Sequence, residues 1–260
     1  TGFAVGDIYL GKVRKIMPGL NAAFVNIGHE KDAFIHYSDL GTHFPSLHKL
    51  VSSFQPGKRG LRVETMKLEP AIEKAGKLST YLQPGQLVMV QIAKEAISTK
   101  GPRLTADISL AGRNVVLVPF SSKIFISQKI RSNEMKKRLR HIAAGVLPKN
   151  FGVIIRTAAA EAQDADIEQD ILSLVERWNE AVGNIRKSQA PALLMSEMSR
   201  ANTIIRDSLN STFSQITVDD EKMYREIKNY IKVIDPQLEK IVKLYRGSVP
   251  IFDNFDISKQ

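Results

Sequence analysis

Between residues 6 and 41 the apolar positions fall in short runs at strand spacing: Tyr9, Val13 and Ile16, then Ala23, Val25 and Ile27, then Phe34 and Ile35. Pro18-Gly19 and Gly28 break the runs, so the stretch predicts three strands of a curved antiparallel sheet. Residues 42–85 lose the pattern. Pro45, Pro56-Gly57, Pro70, Gly76 and Pro84-Gly85 punctuate them, which predicts an inserted loop with short helices, read as a solvated excursion carrying Lys58, Arg59 and Arg62. Residues 87–92 resume as a strand, 98–101 turn, and 104–110 return. The resulting five strands, with a long connection late in their order, suit an OB-type β-barrel interrupted by the insertion.

A second unit follows without a linker. Residues 115–118 predict a buried strand and 123–127 its neighbour. Ser132 is placed to cap a basic helix with Glu134 in its first turn and Met135, Leu139 and Ile142 on one face. Residues 151–156 form a further strand ending on Arg156-Thr157. Asp164 is then placed to cap a helix in which Ile167, Ile171, Leu174, Trp178 and Val182 keep helical period, with acidic residues opposite. The last third reads as a helix over 200–209, a strand over 213–218, a helix capped by Asp219 and stopped by Pro236, and a strand over 240–245. Met223, Ile227, Tyr230, Ile231 and Ile234 are its expected buried side. Two strands are too few for a stable sheet, so this piece is expected to lean on other segments.

Composition narrows the partners. Lys and Arg number 37 against 27 Asp and Glu, a net charge of +10 and a pI near 9.7, which favours a polyanionic partner. With no cysteine there is no disulfide framework, thiolate metal site or cysteine nucleophile, and a cytoplasmic location is preferred. No apolar run approaches the roughly 20 residues that span a bilayer. Thr1-Gly2-Phe3 opens no signal pattern and leads almost directly into a strand, as in a piece of a longer chain.

Three features carry candidate chemistry. Phe24 and Phe34 recur near hairpin ends among Lys12, Arg14, Lys15 and Lys31. They are either core residues or rings on which the bases of a single strand stack while phosphates meet the cations. Between Ser121 and Asn150 stand Lys123, Lys129, Arg131, Lys136, Lys137, Arg138, Arg140 and Lys149 against Glu134 alone, either a solvated face or a polyanion surface. Arg156 beside Thr157 can fork a phosphate or make a surface ion pair. No metal-ligand spacing is visible: His29, His36, His43 and His48 read as polar surface, Asp219-Asp220-Glu221 as a helix cap, and Asp253 with Asp256 as a pair that does not converge on an ion.

The motifs Ile8-Tyr9-Leu10-Gly11-Lys12-Val13, Ala22-Ala23-Phe24-Val25-Asn26-Ile27-Gly28, Lys100-Gly101, Ile108-Ser109-Leu110-Ala111-Gly112, Ile155-Arg156-Thr157-Ala158, Ile204-Ile205-Arg206-Asp207 and Val249-Pro250-Ile251-Phe252 occur in this order. Taken together they resemble the bacterial ribonuclease E/G family over essentially the whole chain. The resemblance implies an α+β multidomain chain with three parts. These are an S-one type OB-fold RNA-binding domain over 1–106 with its insertion at about 42–85, an α/β 5′-sensor domain over 107–199, and the C-terminal part of an RNase-H-like subdomain over 200–260.

It also implies roles. Phe24, Phe34 and Lys100, with Lys12 among the barrel cations, would grip single-stranded RNA, while Gly112, Val116, Arg156 and Thr157 would recognise a 5′-monophosphate. In the family, two aspartates of a DNase-I-like domain hold the magnesium that activates water, and a cysteine pair links subunits through zinc. Both are expected beyond Gln260, and the first RNase-H-like strands before Thr1. The resemblance thus implies the RNA-binding and sensing part of an endoribonuclease of RNA processing and decay, inactive by itself and a homo-oligomer at full length. A non-catalytic RNA-binding module is the alternative, and a basic surface for an acidic protein or anionic membrane a third.

Overall fold

The computed structural model describes residues 2–197 and 200–257. The chain divides into two compact units, residues 1–197 and 198–260.

The first unit opens with β1 (Ile8–Met17), β2 (Ala22–Asn26) and β3 (Ala33–His36), the three strands that alternation predicts. Asn21 takes a left-handed conformation (φ 50°) to turn between the first two. After the insertion with helix α1 (Phe44–Ser52) come β4 (Leu87–Lys94) and β5 (Arg103–Thr105). The sheet runs β1-β2-β3-β5-β4 and closes through β4 on β1, a five-stranded barrel compatible with an OB fold. Inward positions such as Val13, Ala23, Val25, Ala33, Ile35 and Leu104 are at most 1% exposed.

The strand expected over 104–110 is shorter than predicted. Thr105 Oγ1 accepts from Asp107 N at 3.0 Å and turns the chain. Gln91 then clamps Ser109, its Oε1 accepting from Ser109 N and its Nε2 donating to Ser109 O at 2.9 Å. Leu110–Ala111 is β6 and belongs to a second sheet with β7 (Val115–Pro119), β8 (Ile124–Ile126) and β9 (Phe151–Ile155), in the order β6-β7-β9-β8. Helix α2 (Asn133–Val146) leads into β9. β8 is therefore not the neighbour of β7: β9 lies between them, antiparallel to β7 and parallel to β8, because the α2 crossover returns the chain parallel to β8. Helix α3 (Asp164–Lys187) and α2 pack on this sheet, and β10 (Ala192–Met195) returns to pair antiparallel with β1. The expected boundary at 106/107 falls between β5 and β6; the one at 199/200 involves residues 198–199, which lie outside the described residues.

Ser132 caps α2 by accepting from Met135 N. Asp164 does not cap α3: Gln163 occupies the cap position without a side-chain bond, and the Asp164 carboxylate holds Arg138 instead. The insertion is not a solvated excursion. Phe44, Leu47, Leu50, Val51, Val63, Met66, Leu78 and Leu82 are all buried in the core shared by both sheets. At about 1.5–3 kcal/mol for each such side chain, it is part of what holds this unit together. Its backbone is also tied down, Asn21 Oδ1 accepting from Leu78 N and Asn150 Nδ2 donating to Val63 O and Met66 O at 2.8 and 2.9 Å.

The second unit comprises α4 (Arg200–Ser208), β11 (Ile216–Val218), α5 (Glu221–Ile234), β12 (Val242–Leu244) and α6 (Ile251–Asn254). Both strands are shorter than predicted and pair in parallel. Asp220, not Asp219, caps α5 by accepting from Met223 N at 2.7 Å. Ile227 and Ile231 are buried with Ile205, Leu209, Val218 and Val242, whereas Met223 is exposed. Among the described residues no helix is long and apolar enough to cross a membrane.

Candidate nucleic-acid interface

Alternation in β2 and β3 turns Ala23, Val25, Ala33 and Ile35 into the barrel and leaves Phe24 and Phe34 half-buried on its outer face. The two phenylalanines are directly opposed across the strands, centroids 6.2 Å apart and edge to face. Lys15 pairs with Phe24, Arg103 with Phe34 and Lys94 with Arg103, so one row reads Lys15, Phe24, Phe34, Arg103, Lys94 across all five strands. The Arg103 guanidinium lies 5.5 Å from the Phe34 ring centroid, and its Nε donates at 2.9 Å to Asp39 Oδ2, which also accepts from His36 N. Aromatic rings flanked by fixed and flexible cations on an open sheet can stack bases and meet phosphates.

Lys12 is exposed on the same face, opposite Asn26 and one row away from Phe24. Lys100 is exposed at the tip of the β4–β5 hairpin. Gly101 beside it lies so close to the loop before β3 that a Cβ there would stand 2.1 Å from Asp32 O, and Phe34 N donates to Pro102 O at 2.9 Å. The fold thus gathers Phe24, Phe34, Lys12 and Lys100 at one side of the barrel. Lys94 and Arg103 escape a reading by motif, since only strand register aligns them with the phenylalanines.

The second set of residues meets at one end of the four-stranded sheet. β9 stops where Thr157 begins a short 3-10 turn, leaving Arg156 extended, its N donating to Asn114 O at 2.8 Å. Arg156 Nη1 donates to Gly112 O at 2.9 Å, and Thr157 Oγ1 lies 2.8 Å from Ser127 Oγ. Gly112 permits the close approach of α3, for a Cβ there would stand 2.5 Å from the Asp170 carboxylate. Asp170 Oδ2 in turn accepts from Asn114 N and Val115 N at 2.8 and 3.2 Å. Gly112, Arg156 and Thr157 therefore share one corner, and Val116, half-buried, sits on β7 opposite Ile154. An arginine fork, a hydroxyl pair and strand-end backbone form the kind of donor set that phosphate takes.

Two members of this corner went unmarked in the sequence. Ser127 is an ordinary strand-end serine. Asp170 did leave a signal, since it stands on the Ile167, Ile171, Leu174 stripe of α3 rather than opposite it.

A metal finds no donor set here: among the described residues no three His, Asp or Glu side chains stand where they could hold an ion. Asp220 is occupied as a helix cap. His36 Nδ1 accepts from Ser38 N in a turn, and His48 stacks on Phe44, where burial lowers its pKa.

Comparison with known proteins places the chain in a family. The Ribonuclease E/G family profile matches residues 109–260, the range that includes the Gly112–Arg156–Thr157 corner. Ribonuclease G of Escherichia coli is 31% identical over 256 residues, 98% of this chain and 49% of the relative. Ribonuclease E of a Nostoc species is 34% identical over 229 residues, 88% of this chain and 30% of the relative, and that of a Synechocystis species 33% over 258 residues, 98% and 34%. The chain spans at most about half the length of these relatives. With its profile matched over more than half its length, the chain belongs to the ribonuclease E/G family.

Proposed function

We propose that this chain is the RNA-binding and 5′-monophosphate-sensing part of a ribonuclease E/G-like endoribonuclease that cleaves single-stranded RNA in cytoplasmic RNA processing and decay. The observation that carries the reading is the unbroken row of Lys15, Phe24, Phe34, Arg103 and Lys94 on the barrel's open face. It supports a grip on unpaired bases, since duplex would hide the rings' partners. The corner of Gly112, Arg156 and Thr157, with Val116 beside it, supports recognition of a 5′-monophosphate. Magnesium-dependent hydrolysis and homo-oligomerisation would belong to the full-length enzyme. The same interface would serve a non-catalytic single-stranded RNA-binding module, and cleavage by the full-length protein with and without magnesium separates the two.

The sensing part is tested by binding of short single-stranded RNAs bearing a 5′-monophosphate or a 5′-hydroxyl at one fixed salt. The wild type is expected to prefer the monophosphate. Arg156→Ala is expected to lose about 1.5–3 kcal/mol on that ligand alone, the worth of a hydrogen bond to a charged group. Equal binding of both RNAs by the wild type would sink the assignment.

A further inference from the structure

The row of Lys15, Phe24 and Phe34 has a neighbour on the same face of the barrel. Two residues along β1, β2 and β3 stand Met17, Ala22 and His36, paired with one another in continuous register. The period of two puts both rows outside, yet Ala22 is 0% exposed. The insertion meets the hairpin here. Asn21 Nδ2 donates to Gly76 O and its Oδ1 accepts from Leu78 N, both at 2.8 Å, so residues 76–78 are fixed across the end of β1 and β2.

The junction is not sealed. It leaves a cleft of about 340 Å³ lined by Ile16, Met17 and Pro18 from the hairpin and by Lys77 and Ser79 from the insertion. The frame of the cleft is built without a ligand: Asn21 O accepts from Tyr37 N at 2.9 Å, and the Tyr37 hydroxyl donates to Glu73 O at 2.6 Å. Lys77 and Ser79 are exposed, while Ile16 and Met17 are half-buried. An apolar slot with an ammonium group and a hydroxyl beside it suits a flat apolar group attached to an anion. Its place narrows the choice of ligand. The cleft begins one row from Phe24, about 6.6 Å along the strand, with exposed Lys15 between them on β1. That is a step comparable to the one from a nucleotide to the next in an extended single strand.

We propose that this cleft is a further base subsite, in which the nucleotide next to the one on Phe24 turns its base in against Met17 and Pro18 while its phosphate meets Lys77 and Lys15. This rests on the barrel row as a grip on single-stranded RNA, and it extends that grip onto the insertion. A base can enter the slot only when unpaired, and an apolar slot of this kind tolerates every base.

The test uses one 5′-hydroxyl single-stranded RNA containing thiouridine, so that no contact with a 5′-phosphate contributes, on the wild type, Ser79→Leu, Lys77→Ala and Phe34→Ala. Ser79→Leu, which fills the cleft from an exposed position, is expected to weaken binding about tenfold at an unchanged urea midpoint, the effect of losing one bound base. Lys77→Ala should lower the slope of log affinity against log salt by about 0.7. Photo-crosslinking to the wild type should mark residues 16–18 or 77–79, and Ser79→Leu should abolish that mark. The subsite is overturned if the wild type crosslinks elsewhere only, or if a folded Ser79→Leu binds and crosslinks as the wild type does. Should Ser79→Leu fail to fold, an unchanged salt slope in Lys77→Ala overturns it equally. Affinity that falls in Phe34→Ala but in neither cleft variant defeats the cleft alone, whereas a wild type whose RNA affinity ignores Phe34→Ala defeats the barrel reading and the subsite with it.

Discussion

Asp170 shows how much of the proposed phosphate corner depends on one side chain that never needs to touch RNA. Asn114 and Val115 are 5% and 0% exposed, and both send their backbone N–H to Asp170 Oδ2. Gly112, against the same carboxylate, leads into that turn and offers its carbonyl to Arg156. Asp170→Ala would leave two buried N–H groups without this acceptor, at about 1–3 kcal/mol for each group left unpaired. It would also free the turn that positions Arg156. The expected outcome is a lower urea midpoint together with a diminished preference for 5′-monophosphate RNA. Asp170→Asn keeps an oxygen acceptor in place and should recover most of the stability. If Asp170→Ala unfolds at the wild-type midpoint and discriminates as before, the carboxylate is not the support described. The Asp on the apolar stripe of α3 was legible as an anomaly in the sequence, but what it supports could only be seen once β7 was placed against it.

Single elements were far more legible than their partners. Strand spacing marks β1 to β3, short apolar runs mark β7 and β9, and the period of Ile167, Ile171, Leu174 and Trp178 marks α3. Pairing is a property of two strands, so no local pattern told that β8 joins β9 rather than β7. At α5 two adjacent aspartates are equally good caps on paper, while α3 begins one residue earlier than its best cap candidate because Asp164 is drawn to Arg138 and Gln163 holds the cap position without a side-chain bond. The burial of the insertion is not legible in the sequence, because breakers at Pro45, Pro56 and Pro70 mark turns without saying what lies beneath them. Asn150 is what ties it to the second sheet: with φ 66° its side chain is aimed at Val63 O and Met66 O. Asn150→Asp keeps the shape and tolerates the conformation but cannot donate, so it is expected to destabilise the protein by about 1–3 kcal/mol in urea unfolding. Asn150→Gly, which loses the bonds without adding charge and accepts the backbone, should cost less. Equal stability of all three would show that the insertion is held by its buried side chains alone.

On the scale of the whole molecule, the barrel row and the proposed phosphate corner lie in the same compact unit, so on the function proposed above one RNA long enough to reach both would engage them together. The second contact then forms at an effective concentration set by the RNA between them, in the millimolar range for a short flexible tether. A short 5′-phosphorylated RNA that fills only the corner should bind weakly, and lengthening it should raise affinity abruptly at the length that first spans both sites, then change little. Phe34→Ala is expected to remove that step while leaving the monophosphate preference of the short RNA unchanged. Arg156→Ala should do the reverse, lowering the affinity of phosphorylated RNAs to that of their hydroxyl counterparts at every length. Salt gives an independent measure, because the chain carries +10 and each phosphate it neutralises on a single strand contributes about 0.7 to the slope of log affinity against log salt. The slope should steepen at the same RNA length as the affinity, and Lys100→Ala should reduce it by about 0.7 only for RNAs that reach the barrel. A smooth rise of affinity with length, with no step and no change of slope, would mean that the two sites act on separate molecules.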